Sequence, residues 1–181
     1  MTDFIPAINA PLTPGAGEEQ ARLAAAHAPE QVPLSKLLDC LEAITTAMSE
    51  QGCGVVQTCR WADVSKNTFA MWRALRRDPR IAKLAALASV VGYELLLMRE
   101  GAEIRLTNDA AVLGALDAER RRRDLKILDM EIRFGVPSRT WSYWRAGVRP
   151  PSLRPLVILA EALGFDVVMR RRAERWPVRP N

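Results

Sequence analysis

From Leu34 onward the apolar residues fall at Leu34, Leu37, Leu38, Leu41, Ile44 and Met48. This three-and-four spacing turns one face of a helix toward a core, with Ser35 placed to cap its start and Gly52 and Gly54 to end it. Ala110, Val112, Leu113, Leu116 and Ala118 repeat the pattern after Thr107 or Asn108. Short helices are predicted next, near 55–62 and 125–134, each followed by a turn, at Asp63-Val64-Ser65 and at Gly135-Val136-Pro137. Third helices follow over 66–76 and 138–146, with Ser65 as N-cap of one and Pro137 near the start of the other. Fourth helices run from about 80 to 91 and from about 152 to 163, stopped by Gly92 and Gly164 in the place that glycine favours after a helix. The pattern then becomes extended, at Tyr93–Arg99 and Phe165–Arg170. The first extended run continues through Glu100-Gly101-Ala102 into Glu103–Thr107 as a hairpin.

These parallels are literal. Residues 64–99 align with 136–171 without a gap, with 12 identities in 36 positions. Self-similarity at a fixed spacing fixes the architecture before any local reading. It implies two copies of one unit of roughly 70 residues, near the lower limit for a self-sufficient core, so the copies lean on each other. A lone strand in each copy invites pairing. The two strands are therefore expected to meet in one small sheet about a pseudo-twofold axis. The expected organisation is an arm over 1–33, a first unit over 34–106 with a β-hairpin, a second unit over 107–172 with a strand, and a tail over 173–181.

Composition adds a polarity. The net charge is +5, but the stretch 1–33 carries −3 and the remainder +8. That stretch holds Pro6, Pro11, Pro14, Pro29 and Pro33 with few large apolar residues apart from Phe4 and Ile5, so it reads as a mobile acidic arm, with a short helix over Glu18–His27. A basic body suits a polyanionic partner. No apolar run approaches the roughly 18 uncharged residues of a membrane span, and the first ten residues lack the pattern of a secretory signal, so a cytosolic protein is expected.

Within the second copy, Phe134-Gly135-Val136-Pro137-Ser138-Arg139-Thr140-Trp141-Ser142-Tyr143-Trp144-Arg145-Ala146-Gly147 runs on through Arg149-Pro150-Pro151-Ser152 to Leu159-Ala160-Glu161-Ala162-Leu163-Gly164. This order of helix, Gly-Val turn, mid-helix aromatic and closing glycine resembles the Cro/C1-type (XRE) helix-turn-helix family over about 110–165 and, through the internal match, over about 38–93. The first copy departs from the pattern where Asp63 stands for the turn glycine and Leu75 for the closing glycine. Arg73 and Arg145 stand where the family often has glutamate, and Glu131 where it usually has a small residue.

The resemblance implies a mainly α fold of two tandem lambda-repressor-like helix-turn-helix units, and a bacterial, nucleoid-associated transcription regulator that binds double-stranded DNA. Its third helices would enter successive major grooves, about 34 Å apart. Base-facing positions would be Lys66, Asn67, Ala70 and Met71 in the first copy and Ser138, Arg139, Ser142 and Tyr143 in the second. Arg139 suits guanine edges, Asn67 adenine, and Lys66 guanine or phosphate. Because equivalent positions differ, the target is expected to be asymmetric. Phosphate contacts would come from Thr68, Arg76, Arg77, Thr140 and Arg149, with Arg73 and Arg145 open between phosphate and an intramolecular pair.

Phe69, Trp72, Trp141 and Trp144 recur at helical spacing and read as core. Arg120-Arg121-Arg122-Arg123 stays open between a phosphate clamp and a solvated helix end, and Arg170-Arg171-Arg172 with Arg175 to Arg179 around Trp176 reads as a basic tail. Cys40, Cys53 and Cys59 read as small hydrophobes, since no nearby histidine completes a zinc site. No phosphate loop, nucleophile with a histidine base, paired-carboxylate or metal-ligand constellation points to an enzyme, and no cofactor is implied. Homodimerisation through the strands or arm stays open. The competing reading is an antitoxin-like or phage-derived adaptor that holds a protein partner, such as RNA polymerase or a toxin, through the arm or tail and binds DNA only for autoregulation. A nonspecific nucleoid binder is the third.

Overall fold

A computed structural model of the protein describes residues 31–172. Among these the order is β1 (Gln31–Pro33), α1 (Leu37–Glu50), α2 (Val55–Trp61), α3 (Lys66–Arg73), α4 (Ile81–Val90), β2 (Tyr93–Arg99), β3 (Ala102–Arg105), α5 (Asp109–Arg122), α6 (Ile127–Phe134), α7 (Ser138–Arg145), α8 (Leu153–Ala162) and β4 (Asp166–Arg171). The fold is mainly helical with one small antiparallel sheet. Phe4 and Ile5, the Glu18–His27 segment and Arg175 to Arg179 lie outside the described residues.

The internal repeat is obeyed by the backbone. Helices α1 and α5, α3 and α7, and α4 and α8 begin and end at positions that the sequence repeat makes equivalent. Left-handed backbone recurs at the same interval, at Gly52 and Asp124, Asp63 and Gly135, Leu75 and Gly147, and Gly92 and Gly164. Asp63 and Leu75 adopt this conformation without being glycine. Asp63 is held in it by Lys83, whose ammonium donates to both its carboxylate and its carbonyl oxygen. Even the helix-end contacts repeat: Gln51 Nε2 donates to the Val91 carbonyl at the end of α4 at 3.1 Å, and Arg123 Nη2 to the Leu163 carbonyl at the end of α8 at 2.6 Å. Both satisfy carbonyls that a helix end leaves without partners.

The sheet order is β1-β4-β2-β3. Strands β2 and β4 pair antiparallel from Tyr93 opposite Arg171 to Met98 opposite Asp166, so the strands of the two copies meet at the centre of the sheet. A second seam joins the copies where α4 and α8 begin. Arg80 and Ser152 form an isolated antiparallel bridge, the Leu153 N–H donates to the Pro79 carbonyl at 2.9 Å, and the Ile81 N–H to the Pro151 carbonyl at 3.3 Å. Leu95, Leu97, Val167 and Met169 enter a continuous core with Phe69, Trp72, Trp141 and Trp144 from the helices. Burying each such side chain contributes about 1.5–3 kcal/mol.

Three expectations shift. Residues 31–33 leave the arm, because β1 pairs with β4 and the Leu34 N–H donates to the Val167 carbonyl at 2.8 Å. Helix α1 therefore starts at Leu37 behind Lys36, and Ser35 does not cap it. The third helix of the first copy ends at Arg73, not residue 76, because Leu75 turns left-handed.

Candidate nucleic-acid interface

Helices α2 and α3, and again α6 and α7, are joined by short turns containing Val64 and Val136, both buried in the core. Ser65 starts α3 by accepting the Thr68 N–H at 3.0 Å, the N-cap its sequence position implies. In α7 the corresponding residue is Pro137, and Glu131 takes over the role: its Oε2 accepts the Ser138 N–H at 3.0 Å and the Ser138 hydroxyl at 2.8 Å. These bonds hold the Glu131 carboxyl below the usual range for glutamate. In the sequence Glu131 stands out only as unusual; its place two turns before a helix lacking a Ser, Thr, Asp or Asn cap is the signal that could have found it.

Phe69 and Trp72 point inward from α3, and Trp141 and Trp144 from α7. Their burial leaves Lys66, Asn67, Ala70 and Arg73 exposed on α3, with Thr68 and Met71 at its margins, Thr68 half-buried and Met71 likewise. Arg76 and Arg77 follow in the next loop, also exposed. Lys66, Arg73, Arg76 and Arg77 make no ion pair among the described residues. The first copy thus presents an unpartnered polar face bordered by cations.

The second copy presents the same face with its side chains engaged. Arg139 Nε donates to the Tyr143 hydroxyl at 2.5 Å, and the Arg139 and Arg149 guanidinium groups lie 5.0 and 5.1 Å from the Tyr143 ring centroid. Ser142 donates to the Ser138 carbonyl at 3.0 Å, and half-buried Thr140 donates its backbone N–H to Pro137. Arg145 lies 3.5 Å from the Asp117 carboxylate, which resolves its open role toward an intramolecular pair. Tyr143 and its two arginines form a stacked cationic cluster, an arrangement that orders Arg139 and Arg149 before any ligand arrives.

The arginine run at the end of α5 is ion-paired along its whole length, although Arg121 and Arg122 remain 64% exposed. Asp117 and Glu119, only 7% and 5% exposed, gather it: Arg120 and Arg121 pair with Asp117, and Arg122 and Arg123 with Glu119. Arg99 reaches Glu119 from β2, tying the copies together. Arg122, then Arg123 and Arg99, hold the Glu119 carboxyl well below its ordinary range. Arg170 and Arg171 likewise belong to β4, pairing with Glu94 and Glu103 and with Glu50, while Arg172 donates to the Ser89 hydroxyl. Arg170 and Arg171 thus lie on an interior strand of the sheet and Arg172 just past it against α4, and none of the three belongs to a free tail.

Cys40 and Cys59 are buried, and burial, reinforced by Asp39, pushes the Cys40 thiol up to about 12. Such thiols are inert. Among the described residues no group of three or more His, Cys, Asp or Glu side chains converges as metal ligands, and no helix is long and apolar enough to cross a membrane. Comparison with protein-family models, with curated proteins and with solved structures gives no match.

Proposed function

We propose that this chain is a sequence-specific double-stranded DNA-binding transcription regulator, built as two tandem helix-turn-helix units about a pseudo-twofold axis, with α3 and α7 as its recognition helices. The observation that carries the reading is the exposed polar face of α3, without an ion pair among the described residues, flanked by Arg76 and Arg77 and backed by buried Phe69 and Trp72. A helix anchored by its apolar face and offering Lys66 and Asn67 at its N-terminal end has the side chains that read guanine and adenine edges. The second copy contributes Arg139 with Tyr143 and Arg149, a differently furnished face on an equivalent helix. One chain therefore offers two unlike readers, which suits an asymmetric site. Tethering makes the second contact intramolecular, so the pair outbinds either reader alone.

The test is selection of bound genomic fragments by the purified full chain, followed by titration of the best fragment at two salt concentrations. The reading expects a discrete site of two dissimilar halves whose enrichment is lost on Asn67→Ala or Arg139→Ala. Uniform enrichment with a steep salt slope would leave only backbone binding and overturn the claim of sequence recognition.

A further inference from the structure

We propose that the groove between the start of α1, the loop after α3 and the helix α8 is the seat of the chain's own N-terminal arm, received through its apolar stretch around Phe4 and Ile5. The groove encloses about 520 Å³, with Leu37 and Val157 in its lining. Leu38, Leu75 and Ile158 also line it, and they are 47%, 53% and 42% exposed. An isolated exposed leucine needs no explanation, but three large apolar residues converging on one concavity do.

Leu75 makes the case specific. Its φ is 53°, a left-handed conformation that costs a residue with a Cβ about 1–2 kcal/mol, and the equivalent residue of the second copy is Gly147. The turn itself closes α3, with the Leu75 N–H on the Trp72 carbonyl at 3.0 Å and the Arg76 N–H on the Met71 carbonyl at 2.9 Å, but a glycine would serve that turn without strain and the exposed leucine side chain adds nothing to it. The residues equivalent to Leu38 and Ile158 are Ala110 and Ala86, so all three apolar side chains have only alanine or glycine at the matching place in the other copy. The groove has been furnished on one side of a repeated structure.

A second concavity of about 520 Å³ lies at the start of α5 and the loop after α7, with Ala110 and Gly147 in the places of Leu38 and Leu75. The single arm therefore matches the groove that carries the exposed leucines, and it enters beside that groove. Gln31, where β1 begins, is close in the chain to Ser35 on the groove wall, a separation of at most about 14 Å. The segment before Gln31 spans up to about 100 Å when extended, so reach is no obstacle. Phe4, Ile5, Ile8 and Leu12 supply the apolar side chains, while the rim carries both signs, Lys36 and Arg154 with Asp39, Asp78 and Glu161, so apolar burial and not charge selects the arm. A second copy applying its own groove would set concavity against concavity, whereas a single segment fills it.

The test uses the full chain carrying Ala7→Cys with Cys53→Ser, so that a nitroxide attaches to the arm while buried Cys40 and Cys59 stay unlabelled. Amide signals of residues 37–39 and 157–161 are expected to lose intensity through the spin label, and to keep that loss when the labelled chain is diluted into unlabelled protein. Phe4→Asp, which lies outside the described residues, and Leu75→Gly, which restores the residue type of the other copy, are each expected to abolish it with the amide spectrum of the fold retained. Loss of intensity on another surface, no loss at all, or loss only between separately labelled chains would overturn the proposal, the last result assigning the groove to a second copy. A groove insensitive to the arm that binds an added amphipathic helical peptide would overturn it in favour of a separate protein partner.

Discussion

Leu96 and Val168, equivalent positions of the two copies, stand directly opposite each other in the β2–β4 ladder. Each is therefore paired with its own counterpart, and the neighbouring pairs, Leu95 with Met169 and Leu97 with Val167, exchange with one another when the copies are swapped. Arg80 and Ser152 repeat the relationship at the second seam. Two separate hydrogen-bonded contacts are thus symmetric under exchange of the copies. Neither copy has a complete sheet alone, since β2 and β4 are each other's central partner.

Unfolding should accordingly be a single event for both copies. Leu96, 2% exposed, faces away from the residues that enter the helical core, and Leu96→Ala is expected to cost about 2 kcal/mol, the low end for a buried leucine because neighbouring long side chains can close over the gap. Hydrogen exchange would then show protection falling by the same free energy in α4 and in α8. A fall confined to α4 would mean that the copies open independently.

The Trp141 indole N–H is buried without a partner among the described residues, which costs about 1–3 kcal/mol, and Phe69 occupies the equivalent place in the first copy. Trp141→Phe removes the orphaned donor while leaving a smaller ring, so its stability should stay within about 1 kcal/mol of the parent, whereas Trp144→Ala should cost about 3–5 kcal/mol. Denaturant unfolding of the two variants decides this. Equal losses would show that the indole N–H makes a bond that matters.

Much of this architecture is legible in the sequence because the repeat supplies each element twice. Gly135 and Gly147 mark turns that Asp63 and Leu75 would have hidden in the first copy alone. The strand β1 is not legible: a short run ending in a proline carries no alternation, and only the free edge of β4 makes it a strand. Four consecutive arginines leave a phosphate clamp and a solvated helix end both open because charge counting ignores buried partners. Yet Asp117 and Glu119 stand three or four positions before their partners, the spacing at which helix side chains meet, so that network could have been read. The engagement of Arg139 by Tyr143 follows the same four-position spacing and was equally available.

The Glu119 network sets an acid limb. Its carboxyl is lowered from an ordinary 4.5, so the folded state binds a proton less readily than the unfolded chain, and stability rises with pH through the acid range. The contribution is complete above the unfolded value and is lost as pH falls below it. Asp117, Asp63, Glu103 and Glu131 share the sign, while Asp78 and Asp109, raised by burial, oppose it. Urea midpoints measured from about pH 7 to about pH 3 should fall on the acid side, and Glu119→Gln should flatten that fall without abolishing it. Superimposable acid limbs would remove Glu119 from the account.

On the proposed reading of DNA, two exposed charges should act in opposite directions. Arg76 is exposed and makes no ion pair among the described residues, so Arg76→Ala sacrifices no internal contact and should weaken binding to specific and random fragments alike, reducing the salt slope by about 1. Glu131 places a carboxylate at the start of α7, where a phosphate would otherwise meet the Ser138 N–H and the positive end of the helix. Glu131→Gln keeps an acceptor for Ser138 while removing the charge. Affinity should then rise about two- to five-fold, from the roughly 0.3–1 kcal/mol that a charge contributes at a helix terminus. Titrations of the selected fragment across a series of salt concentrations measure both quantities. If Arg76→Ala leaves the slope unchanged and Glu131→Gln leaves affinity unchanged, the backbone of DNA passes beside neither the end of α3 nor the start of α7, and α3 and α7 are not its readers.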